Sequence, residues 1–246
     1  FVALFDGKTF NGWVVLGAKK DAWVIKDGQL SRETSGSQGL RTIRRFANFH
    51  MKWEWSLPKG GNNGVHFRAP RAQRASRVGF EYQMLADYGK APDKNSTASI
   101  YDVVPPTVNA VKPEGEWNQS EAIFDGTHIT YWLNGQKVND VDMNDNDELR
   151  PRLREGFIVL TEHNDAALYR NIRIKELPPA SPPLPPAMVA SAEEGFVPLY
   201  NGVNFDGTGR FKFALVSLTG GTTTYWSNDG TGQSGQEPTA AVTLTV

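Results

Sequence analysis

Cysteine is absent from all 246 residues, which excludes a disulfide framework and a thiolate metal site alike. No apolar run approaches the roughly 20 residues that a membrane-spanning helix needs, and no basic amphipathic helix is visible. Neither sign of charge dominates: 26 Lys and Arg stand against 27 Asp and Glu, a formal net charge of -1. The clustered positive field of a nucleic-acid partner is therefore not expected. An apolar period of 3.6 is nowhere sustained over helical length, so helices should be few and short. The length suits one large β domain, or one domain with an appendage.

What the chain has instead is period two. In His50 to Leu57, Met51, Trp53, Trp55 and Leu57 share one side, while His50, Lys52, Glu54 and Ser56 share the other. Val65 and Phe67 oppose His66 and Arg68, and Phe80, Tyr82 and Met84 oppose Glu81, Gln83 and Leu85. His128 to Val138 reads as a hairpin closed at Asn134-Gly135, because an Asn-Gly step supplies the two positive φ angles of a tight turn. Two further strands follow at Phe157 to Asn164 and Ala167 to Leu177. Many short strands with Gly, Pro and Asn punctuation predict an all-β, two-sheet sandwich.

Proline breaks the pattern after residue 177. The run Pro178-Pro179-Ala180-Ser181-Pro182-Pro183 can be neither helix nor central strand, so a linker is expected over 178–190. Beyond it, Phe196 to Gly207 echoes the opening Phe1 to Gly12, with Phe, Val, Leu, Gly, Phe and Gly at equal spacing. The boundaries read as a sandwich over 1–177, the linker, and a small β-rich C-terminal appendage over 191–246. Ala240 to Val246 alternates Thr with apolar residues, and such an edge strand predicts self-association through the tail or packing on the first domain.

Several motifs, colinear over residues 1 to about 177, resemble the 3-keto-disaccharide hydrolase family. They are Leu4-Phe5-Asp6-Gly7 with Gly12-Trp13, Asn63-Gly64-Val65-His66-Phe67-Arg68, and Gly79-Phe80-Glu81-Tyr82-Gln83-Met84-Leu85. Ser99-Ile100-Tyr101, Gly115-Glu116-Trp117-Asn118, Trp132-Leu133-Asn134-Gly135 and Leu168-Tyr169-Arg170-Asn171-Ile172 follow in order. The resemblance implies a jelly-roll (concanavalin A-like) sandwich acting on glycosides oxidised at C3. It also implies a bacterial protein that is secreted, periplasmic or on the cell surface. The sequence opens on Phe1 rather than methionine, and a leader removed or lying upstream is the expected reason. One departure is Leu160-Thr161-Glu162-His163, where the family commonly carries Gln at the second position. The other is an insert around Arg71 to Arg77 that is longer and more basic than expected.

Alternation assigns side chains to a groove. With Val65, Phe67, Phe80 and Tyr82 in the core, His66, Arg68, Glu81 and Gln83 face out, and by the same parity so do Glu54, Thr161 and His163. On residue types alone this is the mixed polar face of any half-exposed sheet. The resemblance tips the balance for Arg68, Glu81, Gln83 and His163 as catalytic residues. Glu54, His66, Tyr101, Trp117 and Asn118 are the substrate-binding candidates, with aromatics against sugar faces and Asn to hydroxyls. Core packing is an equal expectation for Trp117.

The chemistry implied is elimination: a C3 ketone acidifies the C2 hydrogen, a base removes it, and the C1 substituent leaves before water adds back. His163 or Glu81 would be the base, and Arg68 and Gln83 would hold the developing oxyanion. No cofactor is evident. Asp140, Asp142, Asn144, Asn146 and Glu148 alternate as a calcium loop would, but positions six and twelve are Asp145 and Pro151, so a solvated turn is expected and a divalent cation such as calcium stays an open alternative. The partner is then an oligosaccharide or glycoside. A non-catalytic carbohydrate-binding or surface-assembly protein using the same sandwich is the competing expectation.

Overall fold

Alternation becomes two stacked sheets. The structure, a computed structural model, describes residues 1–33, 37–71, 75–163 and 166–178, with the backbone of two tail strands at 212–215 and 224–227. The strands of the first 177 residues are β1 (Val2–Ala3), β2 (Trp13–Val15), β3 (Trp23–Lys26), β4 (Gln29–Arg32), β5 (Leu40–Thr42) and β6 (Phe49–Ser56). They continue as β7 (Asn62–Ala69), β8 (Phe80–Leu85), β9 (Asn118–Asp125), β10 (His128–Leu133), β11 (Gln136–Asp142), β12 (Phe157–Leu160) and β13 (Leu168–Glu176). One sheet runs β11-β10-β9-β6-β13-β4-β3 with β1 added on β13; the other runs β2-β5-β12-β7-β8. This is a jelly-roll, concanavalin A-like sandwich. Among the described residues, every strand pairing within it is antiparallel.

The tight turn at Asn134-Gly135 forms as its sequence requires, with φ of 50° and 82°. Only one short α-helix, Ala75–Val78, occurs among the described residues.

Between the sheets lies an aromatic core. Trp53, Trp55, Phe67, Phe80 and Tyr82 are all buried. Phe49 stacks on Phe124 at 5.0 Å, and Trp53 meets Tyr82 edge-on at 4.9 Å. Such pairs contribute about 0.5–1.5 kcal/mol beyond the area they bury. Two polar tips of the core meet at one hydroxyl: Trp55 Nε1 donates to Ser120 Oγ at 2.8 Å, and the Tyr82 hydroxyl lies 2.8 Å from the same atom. Core packing thus fixes one parity for β7, β8 and β12. Their alternate residues face away from the core.

Strand β7 breaks that parity at its end. Val159 pairs with His66 and Phe157 with Ala69, so two steps along β12 match three along β7. The extra residue is Arg68, at φ 47°. It makes a β-bulge, which turns its side chain off the face that alternation assigns. The bulge is wedged against Gly156, where a Cβ would lie 2.2 Å from the Arg68 carbonyl carbon.

Of the tail, Lys212–Leu215 and Thr224–Ser227 pair antiparallel as a small sheet of their own. The spacer beyond Pro178, the repeat at Phe196 to Gly207 and the strand expected at Ala240 to Val246 lie outside the described residues. Among those described, no helix is long and apolar enough to cross a membrane.

Candidate active site

The outer face of the five-stranded sheet carries the site. Its register sets Arg41, Val159, His66 and Glu81 in one row across four strands. In the next row Gly64 pairs with Gln83, and Thr161 donates its backbone N–H to the Gly64 carbonyl at 3.0 Å. These rows floor an open pocket of about 340 Å³ lined by His66, Glu81, Gln83, Tyr101, Thr161 and His163, with Val159, Gln38, Asn62, Ser76 and Glu162 around them.

At its centre His66 Nε2 lies 3.3 Å from Glu81 Oε2. The carboxylate is almost wholly buried, and among the described residues it pairs with His66. Gly64 makes room for it, since a Cβ there would stand 2.6 Å from Glu81 Oε1. Gln83 accepts from the Met84 backbone N–H through Oε1 at 3.1 Å, which leaves its amide NH₂ to donate elsewhere. Tyr101 is brought in by a backbone bond, its N–H donating to the Glu81 carbonyl at 3.0 Å. His163 is exposed at the rim. A carboxylate, two imidazoles, an amide and a phenol thus share one opening.

Arg68 is not among them. The bulge turns it away into a buried position, where Nε donates to the Ala47 carbonyl at 2.9 Å and Nη2 to the Gly126 carbonyl at 2.9 Å and Asn48 Oδ1 at 3.2 Å. Its task is to hold the end of β7 against the larger sheet. Glu54 is also displaced, because its strand belongs to that larger sheet. There it accepts from Arg170 Nε at 2.7 Å and Asn171 Nδ2 at 2.9 Å. Trp117 lies 3.8 Å beneath the same Arg170 guanidinium, and Asn118 is buried with Oδ1 accepting from Lys112 N and Asn134 Nδ2. Expecting these four in the groove was wrong. Parity within one strand says nothing of which sheet the strand joins.

Sequence reasoning missed Glu162. Strand parity puts it on the core side with Ile158 and Leu160, but β12 ends at Leu160 and the chain turns. Glu162 is then clasped by Arg32 Nη1 at 2.9 Å and by the Ser37 hydroxyl at 2.5 Å, itself bonded by Trp23 Nε1 at 3.1 Å. Thr161, at the position where the family commonly has Gln, donates its hydroxyl to Asn63 Oδ1 at 2.9 Å. In the acidic run, Asp140 pairs with Lys137 and His128, and Asp142 accepts from Thr127 and the Asn144 N–H. Among the described residues no three His, Cys, Asp or Glu side chains gather as a metal site would require.

A two-sheet jelly roll with a polar pocket on one outer face is the build of a carbohydrate-active sandwich. Solved structures from Parabacteroides distasonis, provisionally named glycosyl hydrolases, share the fold. One is 24% identical with a TM-score of 0.62, covering 71% of this chain and 93% of that one. Another is 26% identical with a TM-score of 0.57, covering 72% and 83%. More particularly, residues 1–175 match the 3-keto-alpha-glucoside-1,2-lyase-like domain, and the chain belongs to that family. A 3-keto-disaccharide hydrolase of Bacteroides thetaiotaomicron is 29% identical over 229 residues, covering 72% of this chain and 78% of its own.

Proposed function

We propose that this exported bacterial protein cleaves 3-keto-glycosides by elimination followed by hydration. The observation that carries the reading is the His66–Glu81 pair on the floor of an open pocket, in a chain of this family. With the keto sugar bound, a base takes the C2 proton and the electron pair forms the C1–C2 double bond as the C1–O bond breaks. The leaving alkoxide takes up a proton. Water then adds, its oxygen to C1 and its hydrogen to C2, so the sum is hydrolysis. Glu81 is the base in this reading, with His66 beside it to receive or return the proton, and His163 at the rim serves the departing group. Gln83 and Tyr101 donate to the C3 oxygen as charge grows on it.

The test is p-nitrophenyl 3-keto-glucoside carrying hydrogen or deuterium at C2. The reading expects release of nitrophenol, slower with deuterium, and no release from the unoxidised glucoside. Equal cleavage of both glucosides, or none of the keto form, overturns it. A non-catalytic sugar-binding role is the second reading, favoured by a Thr161 hydroxyl committed to Asn63 rather than to the pocket. Binding without turnover in the same assay would select it.

A further inference from the structure

Beyond Val159 the same outer face changes character. Phe157 is buried in a small apolar cluster with Ala69 and Val159, and Leu16 packs against it. Three guanidinium groups surround its ring, Arg41 at 4.6 Å, Arg45 at 5.3 Å and Arg71 at 5.4 Å from the centroid. Several arginines answer to an acid: Arg32 to Glu162, Arg44 to Glu176, Arg77 to Asp102, Arg150 to Asp147 and Arg170 to Glu54. Arg41 and Arg71 answer to none. Among the described residues neither side chain has an ion pair or a hydrogen bond, and Arg41 Nε is buried without a partner. Burial, and then the neighbouring charge of Arg71, hold the Arg41 guanidinium below its ordinary pKa. Two like charges drawn together over one ring, with donors unused, are the complement of an anion.

Position supplies the rest. Val159 lines the pocket and also belongs to the Phe157 cluster, and it pairs with His66 on one side and Arg41 on the other. Two strand spacings, about 10 Å, therefore separate the backbone of Arg41 from that of His66. We propose that Arg41 and Arg71 form a subsite for a carboxylate, sulfate or phosphate group on the glycan whose reacting ring sits at His66 and Glu81. The link to a reacting ring rests on the function proposed above; the anion site does not. Arg41, between β2 and β12 in the sheet, fixes one donor fork, and the exposed Arg71 closes from the surface.

Calorimetric titration of the full chain at low salt tests this without any turnover. The probes are D-glucuronate, D-glucose 6-sulfate, D-glucose 6-phosphate, D-glucose and inorganic sulfate. At least one sugar anion should bind about tenfold or more tightly than glucose, as a charge-assisted contact predicts. Which one it is names the substituent. That affinity should fall with added salt, and by about tenfold in both Arg41→Gln and Arg71→Gln. Arg71 is exposed, so its variant decides the matter alone should Arg41→Gln fail to fold. Three results overturn the subsite: no sugar anion binding better than glucose, inorganic sulfate binding in place of every sugar anion, or wild-type affinity in a folded variant. Failure of the keto-glycoside assay leaves this experiment unaffected, so the two readings stand or fall separately.

Discussion

Replacing Gly64 by alanine asks whether the position of the Glu81 carboxylate matters. The new methyl carbon would lie 2.6 Å from Glu81 Oε1, and an ordinary contact begins at 3.4 Å, so the carboxylate must retreat by about 0.8 Å. Displacing a reacting group by about 1 Å can cost on the order of 100-fold in rate. A drop in kcat/KM of about 10- to 100-fold on a 3-keto-glucoside is expected, equal to about 1.4–2.7 kcal/mol of lost transition-state stabilisation. Stability should barely change. Alanine removes some unfolded-state entropy, worth about 0.4–1 kcal/mol, while the Tyr82 carbonyl at 3.2 Å resists slightly. The melting temperature should then stay within about 4 °C of the parent. Wild-type kcat/KM in Gly64→Ala, measured beside an inactive Glu81→Gln, would refute the reasoning. So would a large fall in melting temperature, since crowding of backbone would then have decided the outcome.

Other substitutions separate chemistry from scaffold. Glu81→Gln should lower kcat/KM by about 100-fold or more while melting normally, and His163→Ala should lower it by at least tenfold, as expected for proton-transfer groups. Steady-state kinetics of both variants check this. Arg68→Met should do the reverse: three half-buried oxygens each lose a donor, so chemical denaturation should show a loss on the order of 3 kcal/mol, with turnover per folded molecule retained. Glu54→Gln tests a pH dependence. Burial pushes the Glu54 carboxyl up, but hydrogen bonds from Asn171 and Arg170 outweigh it and hold the pKa below the usual 4.5. The stabilisation is therefore complete above pH 4.5 and lost as pH falls through the lower folded value. The variant should be less stable than the parent at pH 7, and denaturation curves should converge in acid.

Most of the sandwich was legible because a core of this kind enforces period two. Trp53 and Trp55, Val65 and Phe67, Phe80 and Tyr82 each took the side that alternation assigned, and His66, Glu81 and Gln83 followed to the other. Legibility ended wherever a residue left the regular strand. Arg68 shares the parity of His66, yet one inserted step with a positive φ sends it to the carbonyls of Ala47 and Gly126. Glu162 has the wrong parity and reaches the pocket because its strand has already stopped. Glu54 failed for another reason: local alternation is blind to which of two sheets a strand will join, and that is decided by pairing far along the chain. Trp117 and Asn118 looked like groove wall because loop composition does not reveal that Asn118 braces the hairpin at Asn134.

The floor and the rim of the pocket are made of different material. His66 and Glu81 sit on adjacent strands locked by a six-pair register, whereas Tyr101 and His163 come from connecting segments. Segments of that sort accept insertion and exchange far more readily than paired strands do. Lineages that rewrite the rim therefore retune which sugar is admitted, with the His66–Glu81 pair below inherited intact. Divergence in this architecture should accumulate as new specificities around an unchanged reaction.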